Sequence, residues 1–243
     1  MPSGLPMAEE IEPIMLKYLA QVAGFAPAQA HAYLVSYRKI GLIEQDEETG
    51  HYRRGRFALD LGVTSMRTTD PMSLANDAVA ELADRTALHV ALVVWGSFGP
   101  TVVTESGSQL NMNTRPGTVY SMSGTASGRV FSAFLPEATV EATINLEKWE
   151  KTDSGRVGVH RFMSRKELDH IREVGYATVV VPPVPGISAY AAPVFDHAGQ
   201  MVMAITIIGQ DHYLEGRAEE GFIPALIEAA GDLSSELGYV PAH

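Results

Sequence analysis

A loop of small residues that leads directly into a helix is the feature that most constrains how this chain folds. In residues 114–136, TRPGTVYSMSGTASGRVFSAFLP, a turn and a short apolar run precede a cluster of serine, threonine and glycine. An apolar helix follows, and Pro136 ends it. Small residues at a helix start leave backbone N–H groups uncovered, and the helix dipole favours an anion there. The stretch therefore predicts either a well-capped core helix or the anion-binding floor of a ligand site.

Length and composition limit the class of protein. A chain of 243 residues that is 46% hydrophobic can bury a large core in one or two domains. The absence of cysteine excludes disulfides, thiolate catalysis and cysteine-bound metals. No run approaches about 18 apolar residues and no signal-peptide pattern opens the chain, so we expect a cytoplasmic protein without a membrane partner. The net charge of −11 argues against broad attraction to nucleic acid, although a local basic patch remains compatible with it.

The first 62 residues have the pattern of a DNA-binding module. Apolar residues at helical spacing lie on both sides of Gly24 and predict two helices between Met15 and Leu42. Two short strands around the polar turn 46–50 predict a hairpin. Helix, turn, helix and hairpin in this order form the winged helix-turn-helix, whose second helix enters the major groove.

The remaining chain predicts an antiparallel sheet covered by helices. Asp70 and Pro71 indicate the start of a helix that runs to about Arg85. Ser164 and Glu167 form the pattern of a capping box at the start of another helix. Further helices are predicted over 137–149 and after residue 224, and strands over 89–95, 101–104, 176–181, 188–195 and 201–208. Strands gathered between helices indicate an α+β fold.

Four segments together resemble the IclR family of bacterial transcription regulators. They are the stretch 114–136, GLIEQDEETGHYRRGRFALDLG (41–62), AAPVFDHAGQMVMAITIIG (191–209) and IPALIEAAGDLSSELGY (223–239). The likeness covers nearly the whole chain in order. It implies a winged helix-turn-helix domain over 1–62, a linker helix over 63–86, and a GAF-like or profilin-like effector domain over 87–243. Members form dimers and tetramers, so the resemblance implies a homodimer or homotetramer.

The resemblance also places an effector site at the start of the helix within 114–136. The family's amide positions fall at Ala126 and Ser127, and its His and Lys positions at Ser123 and Arg129. An acidic, a sulfur-bearing and two hydroxyl positions of the family fall at Val179, Ala189, Thr206 and Ile208. The predicted ligand-binding residues are Ser123, Gly124, Thr125, Ala126, Ser127, Val179, Ala189, Thr206 and Ile208. Because the walls are apolar and apolar burial stabilises by ~25 cal/mol per Å², we expect an aromatic or hydrophobic effector that carries a carboxylate.

The DNA-binding module departs from the family pattern. Where the family's recognition helix has Ser, Thr and a His-Arg pair, this chain has Ala28, Gln29, His31 and Ala32. The prolines of residues 1–13 each cost ~3 kcal/mol inside a helix, so we do not expect the family's full first helix. Segment 1–62 holds 6 basic and 8 acidic residues. The candidate DNA-binding residues are Gln29, His31, Arg38, Lys39, Arg53 and Arg54.

Two functions follow from these patterns. The first is an effector-responsive regulator that binds promoter DNA and a small molecule. The second is a repurposed relative that has lost DNA binding and uses the pocket for sensing, or as a hydrolase- or lyase-type enzyme. For the enzyme, Ser123, Thr125 and Ser127 are the catalytic candidates because a helix start can stabilise an oxyanion. The chain has no metal-binding histidine motif and no nucleotide-binding glycine motif, so neither metal nor cofactor is expected.

Overall fold

The computed structural model describes residues 13–108, 114–147, 162–179, 184–214 and 221–241. The chain divides into two compact units, Met1–Thr69 and Asp70–His243. Within the described part, no helix is both long and apolar enough to cross a bilayer.

The first unit contains the predicted helix-turn-helix and hairpin. Its elements are α1 (Leu16–Val22), α2 (Pro27–Lys39), β1 (Ile43–Gln45), β2 (Tyr52–Arg54) and α3 (Arg56–Thr68). Gly24 takes a φ of 68° between α1 and α2, a conformation that glycine adopts without strain. Strands β1 and β2 pair antiparallel, and Leu19, Leu34 and Tyr52 share a small core. The two helices and the hairpin are therefore confirmed, whereas the predicted loss of the first helix falls in residues 1–12, outside the described part.

Two helices, rather than one linker helix, run through residues 63–86. Helix α3 ends at Thr68, and α4 (Pro71–Thr86) begins after Asp70. The Asp70 side chain accepts hydrogen bonds from the amides of Met72 and Ser73, as its position before Pro71 predicts. Proline is favoured at the first position of a helix but disrupts a helix interior, so the helical segment is interrupted before Pro71.

The second unit is built on a five-stranded antiparallel sheet. After α4 come β3 (His89–Gly96), β4 (Gly99–Ser106), α5 (Ala126–Phe134), α6 (Glu137–Glu147), α7 (Arg165–Val174) and β5 (Ala177–Thr178). Strands β6 (Ile187–Phe195) and β7 (Met201–Gln210) and helices α8 (Asp211–Leu214) and α9 (Ile223–Glu236) complete it. The sheet order is β4-β3-β7-β6-β5. The predicted antiparallel sheet with covering helices is confirmed.

Both faces of the sheet are buried, which explains the continuous apolar sequence of β7. On one face, Leu92 and Ile205 pack in a core with residues of α4 and α9. On the other face, Ala91, Ala204 and Ile208 pack with residues of α5. The start of α5 is therefore held against the centre of the sheet.

The remaining sequence predictions differ from the structure mainly at element ends. The Ser164–Glu167 capping box at the start of α7 is confirmed. The strand predicted over 176–181 is the short β5, and residues 180–183 lie outside the described part. The predicted helix over 137–149 is α6, whose described range ends at Glu147.

Candidate functional site

The start of α5 carries two backbone amides, those of Ala126 and Ser127, that are buried and lack a hydrogen-bond partner among the described residues. Thr125 caps the helix: its Oγ1 accepts from Gly128 N at 3.1 Å and donates to the Ser121 carbonyl at 2.8 Å. The amides of Ala126 and Ser127 have no hydrogen bond among the described residues. These N–H groups and the positive end of the helix dipole form an anion-binding position.

Gly128 lets this helix start lie against the preceding loop. A Cβ atom at Gly128 would stand 2.6 Å from Met122 Cα and would also overlap the Ser121 carbonyl oxygen. Met122 is fully buried, so it has little room to move. Glycine at this position is what allows the loop to fold beneath the free amides.

Ser127 also connects α5 to the sheet. Its Oγ lies 2.8 Å from Thr206 Oγ1 on β7, and both residues are buried. Two hydroxyls that share one hydrogen bond use only one of their two protons. No other partner of either hydroxyl occurs in the described ranges, so one O–H remains available to a ligand beside the two amides.

A cavity of about 250 Å³ lies at this helix start. Seven predicted ligand-binding residues line it, namely Thr125, Ala126, Ser127, Val179, Ala189, Thr206 and Ile208. Strand pairing brings two of these residues together, because Ala189 on β6 is directly opposite Ile208 on β7. Ser123 and Gly124 do not line the cavity; they lie in the loop before α5, where Gly124 N donates to Ser121 Oγ at 3.2 Å.

Sequence reasoning missed part of the wall. The additional lining residues are Thr114, Val119, Tyr120, Ser121, Val184 and Ile187. Ile187 could have been predicted from the sequence, because it lies two positions before Ala189 on the same strand and thus on the same face of the sheet. Val119 and Tyr120 could not have been predicted in this way, because their position depends on the pairing of Val119 with Thr101 near the start of β4.

Tyr120 has a buried hydroxyl. Its Oη makes no well-formed hydrogen bond to any described residue. Burial raises the pKa of the Tyr120 hydroxyl far above its ordinary value, the Glu105 carboxylate raises it further, and the Thr114 hydroxyl lowers it by a smaller amount. Tyr120 is therefore neutral throughout the physiological pH range.

A larger cavity of about 660 Å³ lies elsewhere in the second unit. Its lining includes Arg85 and Glu228, which form an ion pair at 3.0 Å, and none of the predicted ligand-binding residues. We favour the smaller cavity as the ligand site because free amides and a spare hydroxyl converge there, whereas the cation of the larger one is already paired.

Two of the three hydroxyls considered as catalytic candidates, those of Thr125 and Ser127, have structural partners. Thr125 uses its hydroxyl as both donor and acceptor within the cap. Ser127 is bonded to Thr206, and no histidine or carboxylate hydrogen-bonds to Thr125 or Ser127 in the described ranges. Thr125 and Ser127 thus have no hydrogen-bonded base among the described residues.

The candidate DNA-binding residues are exposed on the first unit. Gln29, His31, Arg38 and Lys39 lie on α2, and Arg53 and Arg54 lie on β2. Two of the cations have protein partners: Arg38 Nη1 donates to Gln45 Oε1 at 2.8 Å, and Arg53 pairs with Glu44 at 3.0 Å. Both contacts are exposed, so a phosphate can compete for the guanidinium groups.

A winged helix-turn-helix unit and a second unit with a ligand-type cavity define the class of ligand-responsive transcription regulators. The family model described as bacterial transcriptional regulator IclR C-terminal matches residues 63–235. The chain belongs to the IclR family of bacterial transcription regulators.

Individual relatives agree with this assignment. The glycerol operon regulatory protein of Streptomyces coelicolor is 29% identical over 231 residues, which cover 92% of this chain and 88% of that protein. A probable HTH-type transcriptional regulator, ArcR, of Halobacterium salinarum is 26% identical over 230 residues, which cover 90% of this chain and 85% of that protein. The crystal structure of Pseudomonas aeruginosa HmgR matches with a TM-score of 0.83 and 29% identity over 98% of this chain and 96% of that chain.

Proposed function

We propose that this regulator responds to an aromatic or hydrophobic carboxylate bound between the start of α5 and strands β6 and β7. The observation that supports the proposal is the pair of unpartnered amides at Ala126 and Ser127 beside an apolar-walled cavity. The proposed binding site comprises the predicted residues that line this cavity.

The carboxylate lies at the helix start. It accepts from the two amides and from the spare proton of the Ser127–Thr206 hydroxyl pair. Hydrogen bonds to a charged acceptor are roughly twice as strong as neutral ones, and the helix dipole adds to them. The two amides belong to the backbone, so they do not depend on which side chains stand at these positions. A carboxylate can therefore bind here even though polar residues of other members are replaced by apolar ones in this chain.

The rest of the ligand contacts an apolar wall. Val179, Ala189 and Ile208 replace acidic, sulfur-bearing and hydroxyl positions of the resembling family. A volume of about 250 Å³ falls below the roughly 300–1,000 Å³ of sites for drug-sized ligands, which favours an acid with a single ring. Small keto and hydroxy acids would leave most of this wall without a partner.

Effector binding changes how the first unit acts on promoter DNA in the cytoplasm. The proposed DNA contacts are Gln29, His31, Arg38 and Lys39 on α2 and the arginines of the wing. Linkage requires the effector to bind the DNA-bound and free states with different affinities. We propose that the active species is a homodimer or homotetramer.

The effector class is tested by calorimetry and thermal melting with four acids. Benzoate and phenylacetate should bind and raise the melting temperature, whereas glyoxylate and pyruvate should do neither. The same two aromatic acids should shift the affinity for promoter fragments in a gel or fluorescence assay. Binding of glyoxylate or pyruvate without binding of the aromatic acids would falsify the effector class.

A further inference from the structure

Tyr120 shows its ring, rather than its hydroxyl, to the ligand cavity. Tyrosine usually buries its ring and keeps its polar tip in water. Here the residue is partly exposed and lines the cavity, yet its Oη has almost no accessible surface. The hydroxyl is therefore buried, and the accessible surface of Tyr120 belongs to its other atoms, the ring carbons among them.

The backbone around Tyr120 fixes this orientation. Tyr120 N donates to the Pro100 carbonyl at 2.7 Å, and the adjacent Val119 pairs with Thr101. The ring packs at the edge of the same core as Ala126 and Ile208, which also line the cavity. The Glu105 carboxylate acts on the hydroxyl side, so the buried end of the ring lies in a negative environment.

Tyr120 is also the one aromatic residue among the described lining residues; the others are aliphatic, or small and polar. A ligand that packs against an aromatic face gains from the ring quadrupole as well as from burial of apolar surface. An aliphatic ligand gains from burial alone. Tyr120 is thus the described lining residue that can distinguish an aromatic from a saturated ring.

We propose that the Tyr120 ring is a specificity-determining surface on which the effector's own ring packs, so that the regulator selects aromatic over saturated carboxylates of the same size. This inference rests on the proposed effector class and narrows it. The Tyr120 hydroxyl does not contact the effector.

The test compares benzoate with cyclohexanecarboxylate, which share carbon number and charge, by calorimetry on the full chain. The wild-type protein should prefer benzoate roughly two- to tenfold, the range measured for aromatic pairs. Tyr120→Leu should bind both acids with about equal affinity, because the aromatic contact is lost. Tyr120→Phe should keep the preference, because it keeps the ring. In the wild-type protein, ring-current shifts of the Tyr120 resonances should appear with benzoate alone.

Each outcome separates this inference from the function on which it rests. If both acids bind the wild-type protein equally, or Tyr120→Leu keeps the preference, the role of Tyr120 is wrong and the effector class stands. If Tyr120→Phe loses the preference, the hydroxyl rather than the ring discriminates, and the inference is again wrong. If neither acid binds the wild-type protein, the effector class fails and this inference fails with it. Should Tyr120→Leu not fold, the wild-type affinity ratio and ring-current shifts decide alone.

Discussion

Proline at residue 126 would remove one proposed ligand donor while leaving α5 intact. Ala126 is the first helical residue, where proline is tolerated, and Thr125 already has the extended conformation (φ −126°, ψ 154°) that precedes proline. Ala126 is fully buried, so the added ring should lower the melting temperature without unfolding the protein. We expect Ala126→Pro to bind benzoate roughly ten- to a hundredfold more weakly, as a lost hydrogen bond to a charged group implies. Ser123→Ala, outside the cavity lining, is the calorimetric control. Unchanged benzoate affinity in Ala126→Pro would place the carboxylate elsewhere.

Gly128 is predicted to be intolerant of a side chain. A Cβ atom there overlaps the Ser121 carbonyl and lies 2.6 Å from Met122 Cα, so Gly128→Ala forces the loop and helix apart. We expect the free energy of unfolding to fall by about 1–3 kcal/mol, the cost of overpacking. Gly231→Ala is a matched control in α9, where an added Cβ meets nothing within 4 Å, and should stabilise by about 0.5–1 kcal/mol. Urea unfolding measures both, and equal effects would contradict the packing argument.

At the residue scale, the sequence predicts a site residue well when its position depends on local pattern. Thr125, Ala126 and Ser127 follow from a helix start that is readable in the sequence, and the structure brings them to one cavity. Ala189 and Ile208 needed family spacing, because their register across two strands has no local signal. Tyr120 escaped both kinds of reasoning: it reaches the cavity through an isolated bridge between residues 101 and 119.

Helix α7 contacts α5, the helix of the proposed ligand site, near both of its ends. Arg172 Nε donates to the Ala133 carbonyl at 2.7 Å near the end of α5, and Glu167 lies 3.7 Å from Arg129 near its start. The carbonyls of the last helical turn lack partners within the helix, so a cationic donor there also complements the dipole. A helix fixed in this way keeps the proposed donors in place before the effector arrives.

Loss of the Arg172 contact should therefore loosen α5. We expect Arg172→Met to lower the free energy of unfolding by about 1–2 kcal/mol, since the hydrogen bond is partly exposed. Arg172 Nη1 also donates to Asp169 Oδ1 at 2.7 Å on the surface. Arg165→Met is the control on the same helix, because the Arg165 side chain is 94% exposed and its Nε lies 3.9 Å from the carboxylate of Asp169. Chemical denaturation monitored by circular dichroism compares the two variants. Equal destabilisation would mean that the surface ion pairs, rather than the carbonyl contact, matter.

Helix α3 presents apolar side chains that no described part of the chain buries. Leu59 is 66% exposed and Met66 is 51% exposed, and none of the residues of α3 is buried. We expect Leu59→Glu with Met66→Glu to shift the proposed homodimer or homotetramer towards monomer, because burying two carboxylates in an interface is unfavourable. Light scattering after size-exclusion chromatography measures the mass, with Asp60→Gln on the polar side of α3 as control. An unchanged mass would assign assembly to another surface.

For the whole molecule, the sequence predicts the fold class because hydrophobic period and turn residues agree over long segments. The interruption between α3 and α4 at Asp70 and Pro71 was only partly predicted. The sequence predicts the N-cap of α4, but the predicted linker helix over 63–86 did not separate α3 from α4. Charge raises a further question at this scale. A net charge of −11 opposes DNA, so binding depends on the local balance in the first unit.

The wing offers a direct test of that balance. Glu44 and Arg53 are opposite each other on β1 and β2, and the 3.0 Å ion pair partly neutralises Arg53, one of the proposed DNA contacts. We expect Glu44→Gln to tighten binding to a promoter fragment at low salt and to steepen the salt dependence by about one phosphate contact, because Arg53 is released. Glu236→Gln makes the same change in net charge at an exposed residue of α9 in the second unit and should have little effect. Fluorescence anisotropy from low to high salt measures both slopes; identical slopes would show that net charge, not the Arg53 contact, controls DNA binding.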